Sequence, residues 1–271
     1  MTQNVTGSSQ IINAPYPVGF GAVATNNATT PNTKIDVSAG IWRDQSNTFD
    51  MNLGNYNGVN ANLSVDSVTV IDATTNGVNG LDTGTLTASR IYYVYIISDF
   101  IYGSTASIPK CLISLTGPAT GPLLPSGYGI YRWVDIMVTD SSAHFLPVNK
   151  LGNSNTRTIM YDAPQATAVT AGNATSYTAA ALTNLVPAID GTPVWIASAF
   201  TPGAASRILN LTPYGGTGNA IAITGQVTSV VVTSNSFLAS KLNSGAPSIS
   251  YKVSNSGDAA ALNVAGFQIF L

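Results

Sequence analysis

The chain has 271 residues, of which 45% are hydrophobic and only 8% charged, against a usual charged share of roughly a quarter. All twelve acidic residues are aspartates, and lysine and arginine number five each. The net charge of −2 offers no basic stripe for nucleic acid. One histidine and one cysteine exclude an intrachain disulfide and a zinc site built from thiolates and imidazoles.

Residues that furnish exposed helix faces are scarce, while Thr, Val, Ile and Tyr are plentiful. This predicts an all-β protein: two β-sandwich, jelly-roll-like domains preceded by an extended N-terminal arm. A neutral, hydroxyl-rich surface suits dry contact between proteins, because few ions need desolvating. It equally suits sugar. Met1-Thr-Gln-Asn-Val lacks the charged and apolar regions of a secretory leader, and no apolar run reaches the length of a membrane span. The expectation is folding in a cytoplasm, with no membrane partner.

Residues 1–33 are rich in Asn, Thr, Gly and Pro around an apolar patch from Ile11 to Phe20. They read as an extended anchoring arm, ordered by a partner. A first β domain spans 34–164. Period-two alternation predicts strands at Lys34–Ser38, Asn62–Asp66 and Ser67–Val70, with a loop at Asn52–Gly58. The stretch Asn76–Phe100 organises this domain. Its first half interleaves Gly77, Gly80 and Gly84 with Asn76, Asn79 and Asp82, residues that accept or cap tight turns. Its second half, Arg90–Ile97, is aromatic and β-branched, as in a buried strand.

Lys110–Leu115 predicts the next strand, with Cys111 as a small core residue. Gly117–Gly129, with Pro118, Pro122 and Pro125, reads as a surface connection. Ile130–Val138 resumes a strand with Arg132, Val134, Ile136 and Val138 on one face. Asp140-Ser-Ser142 is a turn, and Phe145–Pro147 and Thr156–Tyr161 close the unit. A C-terminal β-sandwich spans 165–271. Its predicted strands are Val194–Phe200, Arg207–Leu211, Ala220–Thr224, Val227–Thr233, Ile249–Val253 and Leu262–Leu271, punctuated by glycine turns.

Chemistry is thin. His144 stands alone beside a strand start, and no Gly-x-Ser-x-Gly elbow accompanies it. Asp135 with Asp140, and Asp44 with Asp50, are the nearest carboxylate pairs for glycoside hydrolysis. Solvated turn aspartates are the plainer reading. The glycine-rich turns lack a Walker lysine and do not match a dinucleotide fingerprint. Trp42, Trp133 and Trp195 are candidates for a sugar-stacking platform, or for core. No catalytic, cofactor-binding or metal-ligating residue is assigned, and no cofactor is expected.

Three segments carry a resemblance. They are Lys34-Ile-Asp-Val-Ser-Ala-Gly-Ile-Trp-Arg-Asp44, Asn79-Gly-Leu-Asp-Thr-Gly-Thr-Leu86 leading into Tyr92-Tyr-Val-Tyr-Ile-Ile97, and Phe145-Leu-Pro147. Together they resemble a family of tailed-bacteriophage virion proteins called tail-fibre, collar, head-fibre or structural proteins. The likeness covers roughly residues 33–165. It implies a non-enzymatic, oligomeric part of a virus particle, commonly trimeric. The implied partners are other copies and capsid, portal or tail proteins. The alternative is a receptor-binding module for a host surface glycan; a depolymerase using two aspartates is a third reading.

Overall fold

A computed structural model describes residues 19–58, 64–99, 108–152, 154–217 and 221–271. The fold is all-β. In chain order the strands are β1 (Phe20–Gly21), β2 (Ala24–Asn26), β3 (Lys34–Val37), β4 (Gly40–Arg43), β5 (Asp50–Leu53), β6 (Thr69–Asp72), β7 (Ile91–Ser98), β8 (Lys110–Ser114), β9 (Ile130–Val138) and β10 (Val148–Leu151). There follow β11 (Thr156–Ala166), β12 (Thr178–Ala181), β13 (Pro193–Thr201), β14 (Arg207–Pro213), β15 (Ile221–Gly225), β16 (Val232–Ala239), β17 (Lys241–Asn243), β18 (Ala246–Val253) and β19 (Ala259–Phe270). The chain forms two compact units, Met1–Arg157 with Phe270–Leu271, and Thr158–Ile269. The sequence pattern placed this division at 164/165, where Asp162-Ala163-Pro164 reads as a break; in the structure those residues continue β11.

The first unit is built from three small antiparallel sheets, β1-β4-β5, β2-β3-β6 and β8-β7-β9. One core joins them, with Ile35, Val37, Trp42, Met51, Leu53, Ile71, Tyr92, Val94, Ile96, Ile113 and Val134 all buried. The residues expected to lie in an arm divide in two. Residues 1–18 lie outside the described residues. Phe20–Gly21 pairs with β4 and Ala24–Asn26 with β3, and Ala22 and Ala24 are fully buried, so this part is integral to the unit. Glycine makes the approach possible. A Cβ on Gly19 would collide with the Trp42 ring, and one on Gly40 with the backbone of Ala22 and Phe20.

The described part of the segment Asn76–Phe100, residues 76–99, organises its neighbourhood by a route the turn composition did not reveal. The loop Asn79–Asp82 runs along the free edge of β8. Asn79 N–H donates to Cys111 O (2.8 Å), Ile113 N–H to Gly80 O (3.0 Å) and Asp82 N–H to Ile113 O (2.9 Å). The Asn79 side chain accepts from Cys111 N–H at 3.0 Å. The Asp82 carboxylate accepts from Ser114 Oγ at 2.6 Å and from Leu123 N–H at 3.2 Å. An edge strand that would otherwise expose a ladder of donors and acceptors is thereby covered. Gly80 is required because any Cβ would strike the Thr75 carbonyl.

The sheet β8-β7-β9 is buried on both faces. Tyr92, Val94 and Ile96 face the common core. Tyr93, Tyr95 and Ile97, on the other face, are buried too. The connection 117–129 approaches this second face closely, since a Cβ on Gly117 would sit 3.4 Å from the Tyr93 ring. Tyr93 meets Trp133, and Tyr95 meets Tyr131, edge to face at 5.8 Å.

Several sequence expectations are corrected. Strand β9 carries a bulge opposite Val94/Tyr95. Val134 therefore shares the core with Met137, not with Ile136 and Val138, because one extra residue reverses the alternation. Within Asn62–Asp66, residues 62 and 63 lie outside the described residues. Ser64–Asp66 is no strand: Asp66 has φ 49° and Val65 is 63% exposed. In Val227–Thr233 the strand starts only at Val232, after a turn in which Ser229 has φ 61°. Strands β4, β5, β10, β12 and β17 escaped prediction, and Asn52 and Leu53 belong to β5, not to the loop expected at Asn52–Gly58; Thr178–Ala181 and Lys241–Asn243, for example, lack β-branched or aromatic runs.

The second unit is a sandwich. Strands β11-β19-β13-β16 form one sheet and β12-β18-β14-β15, with β17 beside β18, the other. Val194, Ile196, Phe200, Leu262, Val264 and Phe267 bury one inner face, and Leu209, Leu211, Ile223, Ile249, Tyr251 and Val253 the other. The intervening positions on β13 and β19 are half-exposed, the period-two pattern of a sheet wet on one side.

One surface pair gives a pH prediction. Lys34 and Asp72 lie opposite each other across β3 and β6, 2.9 Å apart. Hydrogen bonds from the Thr74 hydroxyl, then from Lys34, then from the Thr74 N–H, bring the Asp72 carboxyl down from 3.8 to about 2. A depressed folded-state value stabilises fully above 3.8, and the contribution fades as pH falls toward 2. Solvent screening keeps it under about 1 kcal/mol. Asp72→Asn should flatten the slope of unfolding free energy against pH in that window and leave it unchanged near neutrality, as read from urea titrations.

Candidate functional site

The first unit buries a cluster of three ionisable side chains that sequence reasoning did not assemble. Asp135 on β9, Lys150 on β10 and Arg157 on β11 are each essentially inaccessible to solvent. One Asp135 oxygen accepts from Arg157 Nη1 at 2.8 Å and from Ala24 N–H at 2.7 Å. The other accepts from Lys150 Nζ at 3.0 Å and from the Ile136 N–H at 2.8 Å. Lys150 also donates to Ile136 O at 2.8 Å. Burial pushes the Lys150 ammonium down from its ordinary value; the Asp135 charge and hydrogen bond oppose this, and the Arg157 charge adds to it.

Arg157 reaches further. Its Nη1 donates to Ala22 O at 2.8 Å and its Nη2 to Gly21 O. The guanidinium lies 5.7 Å from the centre of the Trp42 ring, and Trp42 Nε1 donates to Gly21 O at 3.3 Å. Nearby, Gly19 N–H donates to Asn155 Oδ1 at 3.1 Å. The cluster is thus a clamp on Gly19–Ala24: Arg157 supplies donors to the Gly21 and Ala22 carbonyls, and Asp135 an acceptor to the Ala24 N–H, as buried backbone groups require. The bulge in β9 was the missing signal. Without it, Asp135 reads as a residue on the face opposite Val134, and two cations from later strands have no reason to meet it.

The predicted candidates fall out as follows. Asp135 and Asp140 do different work: Asp135 anchors the clamp, and Asp140 caps its own turn by accepting from the Ser142 and His144 N–H groups, both at 2.8 Å. His144 is half-exposed beside Asp140, with Nδ1 3.8 Å from the carboxylate. Asp44 closes the β4–β5 hairpin, accepting from Thr48 and Phe49 N–H at 2.7 and 2.8 Å. Burial pushes its pKa up, and bonds from Phe49, Ser46 and Thr48 outweigh that and bring it below the ordinary value. Asp50 pairs with Arg43 at 3.3 Å. Burial raises its pKa despite that partner. Cys111 is fully buried in β8, as expected, and burial drives its thiol far above the ordinary value. No group of three metal-ligating side chains occurs among the described residues. No helix there is long and apolar enough to cross a membrane.

The three tryptophans separate. Trp42 and Trp133 are core, with Trp133 Nε1 donating to Asp135 O at 2.8 Å. Trp195 sits on the outer face of the second unit, half-exposed, against Phe237 of β16 with ring centres 4.6 Å apart and planes inclined at 43°. Phe237 is 52% exposed. Beyond this pair lies a shallow depression of about 290 Å³ lined by Ala197, Ala199, Thr233, Asn235 and Asn263 among others.

No family model matches the sequence, and no curated protein matches it. Among solved structures, two variants of the exo-β-1,3-galactanase of Phanerochaete chrysosporium with β-1,3-galactotriose are similar at 14% and 13% identity, with TM-scores of 0.20 and 0.19. The alignments cover 89% and 88% of this chain and 55% and 54% of theirs. The same galactanase with galactose aligns at 12% identity and TM-score 0.19, over 91% and 56% of the two chains. This chain therefore spans about half the length of those structures.

Proposed function

We propose that this chain is a non-enzymatic structural component of a tailed-bacteriophage particle: an oligomeric appendage, collar or fibre part. It is made in the bacterial cytoplasm and ends in the virion. The observation that carries this reading is the use made of its few charges. Asp44, Asp82, Asp135, Lys150 and Arg157 all fix the polypeptide's own backbone or each other. The Asn79–Leu86 segment, which carries the most distinctive part of the virion-protein resemblance, begins as an edge cover for β8 and presents no reactive group. A surface built from Ser, Thr and Asn suits association with identical subunits, a homotrimer, and with capsid, portal or tail proteins, because little ionic desolvation opposes contact.

The test is direct. Antibodies raised against the purified chain should label intact particles of the source phage at symmetry-related positions. Light scattering on the purified chain should give a mass near three times 27.9 kDa. Particles that carry no label, while lysates of infected cells do, would overturn the reading. A receptor-binding role is supported separately by the Trp195–Phe237 pair, in which Phe237 is exposed and Trp195 partly so.

A further inference from the structure

The geometry points to a binding site for a neutral oligosaccharide on the outer face of β19-β13-β16, in the second unit. It names a location and ligand class for the receptor-binding reading, and it stands whether or not the chain belongs to a particle.

Strand register places the parts. Ala197 of β13 lies opposite Asn235 of β16 on one side and Asn263 of β19 on the other. Two amides therefore flank a methyl floor, with Cα atoms about 10 Å apart across two strand spacings. One step along the strands, about 7 Å away, the aromatic pair Trp195–Phe237 stands on the same face. In the other direction Ala199 lies opposite Thr233 and keeps the floor low.

Each feature answers to one property of a pyranose. A partly exposed indole beside the exposed Phe237 ring offers an apolar platform for the C–H face of a sugar, and aromatic rings supply such area at low entropic cost. A side-chain amide both donates and accepts, matching hydroxyls that do the same. Among the described residues no hydrogen bond holds the Asn235, Asn263 or Trp195 side chain, which leaves their polar atoms to a ligand. No ionisable side chain lines the depression, so neither an anionic nor a cationic ligand has a counter-charge there. Alanines keep about 290 Å³ open, at the lower end of small-molecule sites. This suits one or two sugar rings of a longer chain.

The experiment is a titration of the full-length protein, read by tryptophan fluorescence and by calorimetry. The probes are neutral hexasaccharides prepared from dextran, cellulose, xylan and β-galactan, with a hexagalacturonate as the anionic comparison. At least one neutral probe should saturate, and the galacturonate should not. Trp195→Ala should weaken binding about tenfold, and Asn235→Ala or Asn263→Ala roughly fivefold. Asn235→Asp, which keeps the side chain's shape, controls for loss of fold and should also weaken the neutral probe. Four outcomes would overturn the site: no neutral probe binds at 10 mM (~10 mM being far weaker than specific binding); Trp195→Ala and Asn235→Asp bind like the parent; the anionic probe binds best; or Trp195→Ala converts an oligomer to a monomer, making the face a contact between copies.

Discussion

Asp135→Ala should destabilise the first unit by about 3–5 kcal/mol, the usual cost of removing one partner from a buried ion cluster. The change strands Lys150 and Arg157 as two uncompensated buried cations and leaves the Ala24 and Ile136 N–H groups without their acceptor. Against a typical total stability of about 5–15 kcal/mol, that is a large share. Urea unfolding followed by near-ultraviolet circular dichroism should show the midpoint for the first unit fall sharply. Asp135→Asn keeps the acceptor oxygen for one side only, so it should fall between the parent and the alanine variant. A Lys150→Met change added to Asp135→Ala should recover part of the loss, because it removes one stranded charge. If Asp135→Ala unfolds at the parent's urea concentration, the clamp contributes nothing to stability and the structural account of these charges fails.

Trp42→Ala is the second large effect, again about 3–5 kcal/mol, as for other buried large-to-small changes. The indole is fully buried, lies against Gly19 and sits beneath the Arg157 guanidinium. Its removal opens a cavity, deprives Gly21 O of one donor and strips the cation of its aromatic face, worth roughly 0.5–2 kcal/mol. Because Trp42 and Asp135 hold the same segment through Arg157, their effects should not add. The double variant should lose measurably less than the sum of the two single losses. Strict additivity in a double-mutant cycle would show that the two residues act on separate parts of the unit.

Much of the architecture was legible in residue order, and the exceptions have physical causes. Ile91–Ile97, Lys110–Leu115 and Val194–Phe200 announced themselves through composition and alternation, and they form β7, β8 and β13. Cys111 could be placed in the core because its neighbours are apolar. What escaped were features that depend on residues far apart. The β9 bulge changes which side chains share a face, yet it leaves no mark on local composition. The clamp draws on residues 19–24, 135, 150 and 157. None of these positions is unusual alone. Val227, Val230 and Val231 read as strand because valine favours strands, but a turn at Ser229 leaves all three exposed. On the outer face of the second unit, Trp195 could be numbered as a candidate from sequence. Its partner Phe237 and the flanking Asn235 and Asn263 became visible only once strand register was known.

The span of the clamp also governs when the first unit can form. Arg157 must reach Gly21 and Ala22, about 135 positions earlier. As the chain leaves the ribosome, β1 and β2 therefore wait, without their guanidinium donor, until nearly the whole unit has been synthesised. Closing so wide a loop is entropically slow. During that interval Trp42 and its apolar neighbours stand open to neighbouring nascent chains, so early crowding on a polysome would favour mispairing.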